Sequence, residues 1–361
     1  MKPPFITIDG RKIGPEYPPF IVGEISCNHN GNLLTLLATI TAAKKAGCDA
    51  VKIQSYEAED MTIYHPSSDF QIDPAKWGYS TLFELYKACE TPYWWHQQIF
   101  DHANENKITL FSTPFSVRAV ELLEKLEAPA YKIASMELGY TDLLKAVGKT
   151  RKPVILSTGL ASLEDLHQAL HTVTDAAYGE EYHNGYHPEI AMLHCISEYP
   201  ASAQSNTRRV SNIKRAMGAP KLVVGLSDHS MSPLPAITAV AQGACIIEKH
   251  FCLAGVDSID KDWSLDPYAM KDFVENVQDA WKCLGTGEID QSKSPNKQFQ
   301  RSVYAIANIK DGEKLTRSNT AVIRPGYGLP ASDYEMLLKK HARAVGNVFR
   351  GEPITVANCS I

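Results

Sequence analysis

"LVVGLSDHSMSPLPAITAVAQGACIIEKHF", residues 222–251, decides the fold. Its two ends, "LVVGLSDH" (222–229) and "ACIIEKHF" (244–251), are short apolar runs that stop abruptly at polar side chains. Between them, "PLPAITAVAQGA" has helical period. Apolar strand, helix and second apolar strand make one unit of a parallel sheet covered by helices. Six more such runs precede it: "FIVGEIS" (20–26), "AVKIQ" (50–54), "ITLFSTPF" (108–115), "AYKIAS" (130–135), "PVILSTG" (153–159) and "IAMLHCIS" (190–197). Helical segments such as "LLTLLATITAAKKAG", "VRAVELLEKLE" and "SLEDLHQALHTV" separate most neighbours. Eight repeats in about 250 residues are the count and size of a (β/α)8 TIM barrel. An open doubly wound sheet is the runner-up, but no G-x-G-x-x-G follows the first strand.

One interval, residues 55–107, is too long for a plain helix and reads as an insertion over the barrel mouth plus the second helix. The amphipathic "DPYAMKDFVENVQDAWKCLG" completes a barrel domain spanning 1–285. "TGEIDQSKSPNKQFQ" (286–300) has the turn-rich character of a linker. The remaining residues, 301–361, form a small β-rich C-terminal domain, marginal alone and expected to lean on the barrel or on a partner chain.

Composition narrows the function. A net charge of −5 with 21% charged residues, interspersed in sign, points to neither nucleic acid nor a membrane surface. No run approaches the roughly 18 apolar residues of a spanning helix, and the start lacks a leader pattern, so a cytoplasmic location is expected. Eight cysteines without C-x-x-C spacing, mostly inside apolar patterns, read as buried free thiols.

A barrel of this kind builds its active site at the C-terminal ends of its strands. Those ends carry Glu24; Lys52 and Gln54; Ser112 and Thr113; Lys132, Ser135 and Glu137; Ser157 and Thr158; Ser197 and Tyr199; Ser227 and His229; and His250. A lysine embedded in "AVKIQ" or "AYKIAS" loses hydration and needs an anion or a lowered pKa. Lys52 and Lys132, with the hydroxyls of Thr113, Ser135, Ser157 and Ser227, describe a cradle for a phosphorylated, carboxylated anion. Ser227 and His229 share strand parity, as do Glu248 and His250, so histidines on neighbouring strands can converge on one cation. Two imidazoles with oxygen ligands and open positions suit Mn²⁺ or a similar divalent metal better than a closed zinc site. The stretch "DSIDKDWSLDP" adds acids, among them Asp260, near the same mouth.

"GEISCNHNG", "AVKIQ", "STPF", "YKIASME", "STG", "GLSDHS", "EKHF" and "RPGYG" resemble, in order and spacing, the phosphoenolpyruvate-dependent nonulosonic (sialic) acid synthase family. The resemblance runs from about residue 18 to the C-terminus. It implies a TIM barrel followed by a small antifreeze-protein-like (SAF) domain, working as a homodimer with swapped C-terminal domains. By the family's pattern Lys52, Thr113, Lys132, Ser135, Ser157, Ser197 and Ser227 hold phosphoenolpyruvate, while His229 and His250 hold the divalent metal, Mn²⁺ with Mg²⁺ or Co²⁺ as alternatives. Glu24, Gln54, Tyr199 and Asp260 face the amino sugar. Arg324 reaches from the small domain into the other subunit's barrel and hydrogen-bonds an acyl group. "ELYKACETPYWWHQQIF", Ser197 in place of a usual asparagine, and "DSID" in place of G-P-D resemble the pseudaminic acid synthase branch. That branch implies 2,4-diacetamido-2,4,6-trideoxy-L-altrose as substrate, with a mannose-type amino sugar as the alternative.

The chemistry so implied joins the methylene carbon of phosphoenolpyruvate to the sugar aldehyde, then adds water and releases phosphate. Glu137 is the expected residue to orient or deprotonate the water, and Glu24 or Asp260 the one to protonate the alkoxide. Two other enzyme readings exist on the same barrel: a Schiff-base aldolase using Lys132, and a metal-dependent hydrolase, which lacks its H-x-H pair here. A non-catalytic sugar-binding reading has no use for a full ring of ionisable strand ends.

Overall fold

The computed structural model describes residues 3–179, 189–201, 204–219, 221–287 and 295–361. Each of the eight apolar runs forms a strand: Phe20–Glu24, Ala50–Ser55, Thr109–Pro114, Tyr131–Ile133, Val154–Ser157, Ile190–Cys195, Val223–Asp228 and Ile246–His250. They pair in parallel in sequence order, and the eighth closes the barrel by pairing with both the seventh and the first. The register sets Glu24 beside Lys52, Gln54 beside Thr113, Ser227 beside Glu248, and His250 beside Glu24.

Alternation along these strands sorts the barrel into two inner zones. Phe20, Val22, Phe111, Ile155, Leu193 and Ile246 belong to a buried apolar cluster, while two residues further along their strands stand Glu24, Thr113, Ser157 and Glu248. The zone is tight enough that Gly225 has no room for a side chain: a Cβ there would fall 2.3 Å from the Ile246 carbonyl oxygen and 2.6 Å from Leu193 Cδ2. The outward faces of the strands pack against the helices in the main core, which includes Ile21, Ile53, Leu156 and Ile247.

An N-terminal hairpin, Ile6–Ile8 paired with Arg11–Ile13, went unread in the sequence. Its Ile6, Ile8 and Ile13 are fully buried in the same apolar cluster as the inner barrel residues. It therefore plugs the end of the barrel opposite the catalytic mouth. The long interval after the second strand holds the short helices Ala58–Met61, Pro74–Trp77 and Leu82–Cys89, then the helix His96–Glu105, which packs against the helix Leu33–Ala46 as the second barrel helix. Thr81 starts Leu82–Cys89 with a capping box: its hydroxyl accepts from Glu84 N, and the Glu84 carboxylate accepts from Thr81 N.

Two compact units make up the chain, Met1–Gly285 and Thr286–Ile361. Much of the expected linker, residues 288–294, lies outside the described residues. The second unit pairs Ser302–Ala305 with Thr320–Ile323 and Arg343–Ala344 with Cys359–Ser360, around a core of Val303, Leu315, Leu337, Val348 and Ile354. All eight cysteines are free; six are buried, but Cys283, near the C-terminal end of the helix Pro267–Leu284, is exposed and Cys359, in the second unit, is half-buried.

Candidate active site

A cavity of about 180 Å³ opens at the C-terminal ends of the strands. Of the predicted residues, Glu24, Lys52, Gln54, Thr113, Lys132, Ser135, Ser157, Tyr199, Ser227, His229, His250 and Asp260 line it. Ser197 stands just behind, its hydroxyl 3.4 Å from that of Ser135. Glu137 occupies the turn Ser135–Glu137 after the fourth strand, outside the lining, with its buried Oε2 lacking a hydrogen-bond partner among the described residues. Arg324 is an exposed residue of the second unit. Ser112, another of the polar strand ends, points away from the mouth, bonding Ser55 Oγ at 2.6 Å and the Ile53 carbonyl at 3.0 Å, because its parity is opposite to that of Thr113.

Charges at the floor of the cavity are mutually neutralised. Lys52 Nζ lies 2.6 Å from Glu24 Oε2 and 3.8 Å from Glu248 Oε2, and donates to Thr113 Oγ1 at 3.1 Å. Lys132 Nζ is 3.9 Å from Glu248 Oε1, which accepts from Ser227 Oγ at 2.7 Å. All four charged groups are 5% exposed or less. Burial opposes the charge of Lys52, yet Glu24 and Glu248 outweigh it and raise its pKa. Burial lowers the pKa of Lys132 against the pull of Glu248. For Glu248, burial is more than offset by Lys132 and Lys52, which hold the carboxyl below its ordinary range. Glu24 is pulled both ways: burial raises its pKa and Lys52 lowers it, and burial prevails. At 2.6 Å the contact is an ion pair nonetheless, poised to lose its charge if the lysine finds another anion.

The two histidines meet as their parity requires, with ring centroids 5.4 Å apart. Burial lowers both pKa values, that of His250 well below the ordinary range. His229 Nδ1–H donates to the Ile196 carbonyl at 2.7 Å, which leaves Nε2 as the unprotonated nitrogen, 3.4 Å from Ser227 Oγ, whose own proton goes to Glu248 Oε1. Among the described residues His250 Nδ1 is buried without a hydrogen-bond partner, and it lies 3.5 Å from Asp260 Oδ2. Uncharged imidazoles, one fixed in tautomer by a carbonyl and one with an unused nitrogen, are the donor set a divalent metal requires, so the residues fit it. Among the described residues no group of three or more His, Cys, Asp or Glu converges at metal-ligand spacing. Tyr199 stacks on His229, its ring centroid 4.3 Å away.

Sequence reasoning missed several lining residues. Glu248 carried the right parity, but its bridging of Lys52 and Lys132, on the second and fourth strands, depends on distances across the barrel. Ser26, which accepts from Gln54 Nε2 at 3.0 Å, lies two residues past the first strand. Trp77 comes from the insertion and Trp263 from the turn Lys261–Trp263 after the eighth strand, where no periodicity signals direction.

A closed parallel barrel whose mouth concentrates buried lysines, carboxylates and uncharged imidazoles is a barrel enzyme built for an anionic substrate. Residues 39–289 match the NeuB family and residues 300–358 the SAF domain. The pseudaminic acid synthase of Campylobacter jejuni is 38% identical, over 90% of this chain and 92% of its own. The N,N'-diacetyllegionaminic acid synthase of the same species is 33% identical, over 89% and 95%. The crystal structure of an N-acetylneuraminic acid synthetase from Leptospira borgpetersenii, in complex with citrate, superimposes with a TM-score of 0.69 at 27% identity, covering 80% of this chain and 92% of that one. This chain belongs to the NeuB family. It is a phosphoenolpyruvate-dependent synthase of the sialic acid type.

Proposed function

We propose that this protein condenses phosphoenolpyruvate with open-chain 2,4-diacetamido-2,4,6-trideoxy-L-altrose and water, giving pseudaminic acid and phosphate. The observation that carries the chemistry is the buried lysine pair facing carboxylates beside two uncharged imidazoles in one cavity. The choice of sugar is supported by 38% identity to a pseudaminic acid synthase, by Ser197 in place of a usual asparagine, and by "DSID" in the sugar-side segment after His250.

Lys52 and Lys132 hold the phosphate and carboxylate, and the hydroxyls of Thr113, Ser135, Ser157, Ser197 and Ser227 complete the cradle. The Ser157 hydroxyl, buried without a partner among the described residues, is a donor waiting for such an anion. When the substrate's anions replace Glu24 as partner of Lys52, the buried carboxyl takes a proton. It then stands as an acid near the mouth, beside Gln54, whose Nε2 donates to its Oε1 at 3.2 Å. The enol carbon attacks the aldehyde carbon, and the aldehyde oxygen receives a proton from Glu24 or Asp260, whose pKa burial also raises. Water then adds to the phosphate-bearing carbon, giving one proton to Glu137; the C–O bond to phosphate breaks, and the departing phosphate takes the remaining hydroxyl proton as the ketone forms. Burial raises Glu137 to about 7, the range of an effective base at neutral pH. His229 and His250 would hold a divalent cation, Mn²⁺ with Mg²⁺ or Co²⁺ as alternatives, which supplies a positive centre for developing oxyanion charge.

A homodimer with swapped C-terminal domains is part of this reading. Its support is a set of exposed apolar side chains, Met136, Leu160, Met231 and Leu234, on segments that follow barrel strands. Arg324 of the partner subunit would reach the sugar's acyl group. Six buried free thiols fit a reducing cytoplasm.

Phosphate release measured across candidate amino sugars tests the reading: turnover is expected to be fastest with the altrose derivative. Faster turnover of the legionaminic acid precursor or of N-acetylmannosamine would move the chain to the alternative branch, which the 33% identity to a legionaminic acid synthase supports. The lowered pKa of Lys132 favours one rival, an imine-forming aldolase. Borohydride trapping at Lys132, with activity surviving chelation, would establish that rival instead.

A further inference from the structure

Behind the two histidines, on the opposite face of the same strands, lies a second charged pair that the chemistry above does not use. Lys249 and Asp228 each sit one residue before a histidine, so strand alternation turns them away from the cavity. Lys249 is 0% exposed and Asp228 3%. Lys249 Nζ lies 3.2 Å from Asp228 Oδ2, donates to the Ser230 carbonyl, and stands 5.6 Å from the centre of the Phe273 ring. Asp228 Oδ1 in turn accepts from Ser230 N at 2.9 Å. The ammonium therefore ties the eighth strand to residues on both sides of His229, with His250 as its own neighbour in the chain. A buried ion pair is a weak source of stability, since apolar residues of similar volume often do as well or better; what it supplies is a fixed geometry.

We propose that Lys249 and Asp228 are positioning residues that set the separation and ring orientation of His229 and His250 for a divalent cation. This rests on the metal reading given under the proposed function. The pair makes no contact with substrate and acts only through the turn it clamps.

The test uses the full-length protein and Mn²⁺ alone, with affinity measured by competition against a fluorescent chelator and folding followed by thermal melting. Lys249→Met by itself leaves a buried, unpaired Asp228 and is expected to lower the melting temperature strongly. The informative variant is Lys249→Met with Asp228→Asn, which removes both charges but keeps an acceptor for Ser230 N. It is expected to melt within a few degrees of the wild type and yet to bind Mn²⁺ roughly ten- to a hundredfold more weakly, the range found when residues supporting metal ligands are removed. A folded double variant with wild-type Mn²⁺ affinity overturns the proposal while leaving the metal reading intact. Wild-type protein that binds no divalent ion, with His229→Ala no different, overturns both.

Discussion

Replacing Glu137 by glutamine should make the protein more stable than wild type, and only at high pH. The carboxyl is mostly buried, and burial carries its pKa from 4.5 to about 7 against the opposing pull of Lys132. Below pH 4.5 the group is protonated in both folded and unfolded chains and costs nothing. As pH rises, the unfolded chain releases its proton first, so folding loses free energy progressively until the folded group ionises near pH 7. Above that the loss is complete, about 3.4 kcal/mol at about 1.4 kcal/mol for each pH unit between the two values. Between pH 5 and 8.5 this leaves about 2.5 kcal/mol, and water at the partly open turn reduces it toward about 2 kcal/mol. Glutamine keeps the shape and cannot ionise, so the difference in urea unfolding free energy, variant minus wild type, should grow by that amount across the interval. A constant offset from the new amide does not matter, because only the change with pH is read. A difference that stays flat from pH 5 to 8.5 would refute the burial argument, and with it the assignment of Glu137 as a base tuned near neutrality. In wild type, the same ionisation predicts that kcat rises through about pH 7.

Three further outcomes follow from the geometry. At Gly159, where φ is +33°, a Cβ would lie 2.2 Å from Ser135 Cβ and 2.9 Å from Ser197 Oγ, so Gly159→Ala should cost about 1–3 kcal/mol in urea unfolding and raise KM for phosphoenolpyruvate. On the swapped-dimer reading, Arg324→Ala should raise KM for the sugar about tenfold or more, with KM for phosphoenolpyruvate little changed; equal KM values for the sugar would count against it. On the metal reading, chelation should abolish phosphate release and Mn²⁺ restore it, whereas activity that persists through exhaustive chelation would exclude a metal held by His229 and His250.

The fold was legible because each strand of a covered parallel barrel must be apolar on both faces, and eight such runs stand out from their helices. Lys52, Lys132, His229 and His250 were legible for the same reason: burial penalises an ionisable side chain inside a Val- and Ile-rich run, so each one stands out and demands a partner. Parity then grouped Ser227 with His229 and Glu248 with His250, and the barrel closes with all four in one cavity. Glu248 shows where this reading stops, since its bridging of Lys52 and Lys132 depends on distances across the barrel, which no local pattern encodes. Lys249 was hidden by its neighbours, its opposite parity noticeable only once Asp228 is seen to pair with it. Trp77 and Trp263 come from irregular segments, where direction depends on packing and not on period. The hairpin Ile6–Ile8 with Arg11–Ile13 escaped notice because three-residue strands are too short for an alternation to register.

That hairpin also bears on the order of assembly. Its isoleucines dock on side chains drawn from all around the barrel, including Val22, Ala50, Phe111, Ile155, Leu193, Val223 and Ile246. No complete docking surface exists until the eighth strand has closed against the first. The hairpin, which precedes every barrel strand in the chain, is therefore expected to settle among the last, with Ile6, Ile8 and Ile13 left without their packing surface until a strand more than two hundred residues later is in place. Barrel closure and hairpin docking become one late event, which ties the stability of the finished barrel to residues 6–13.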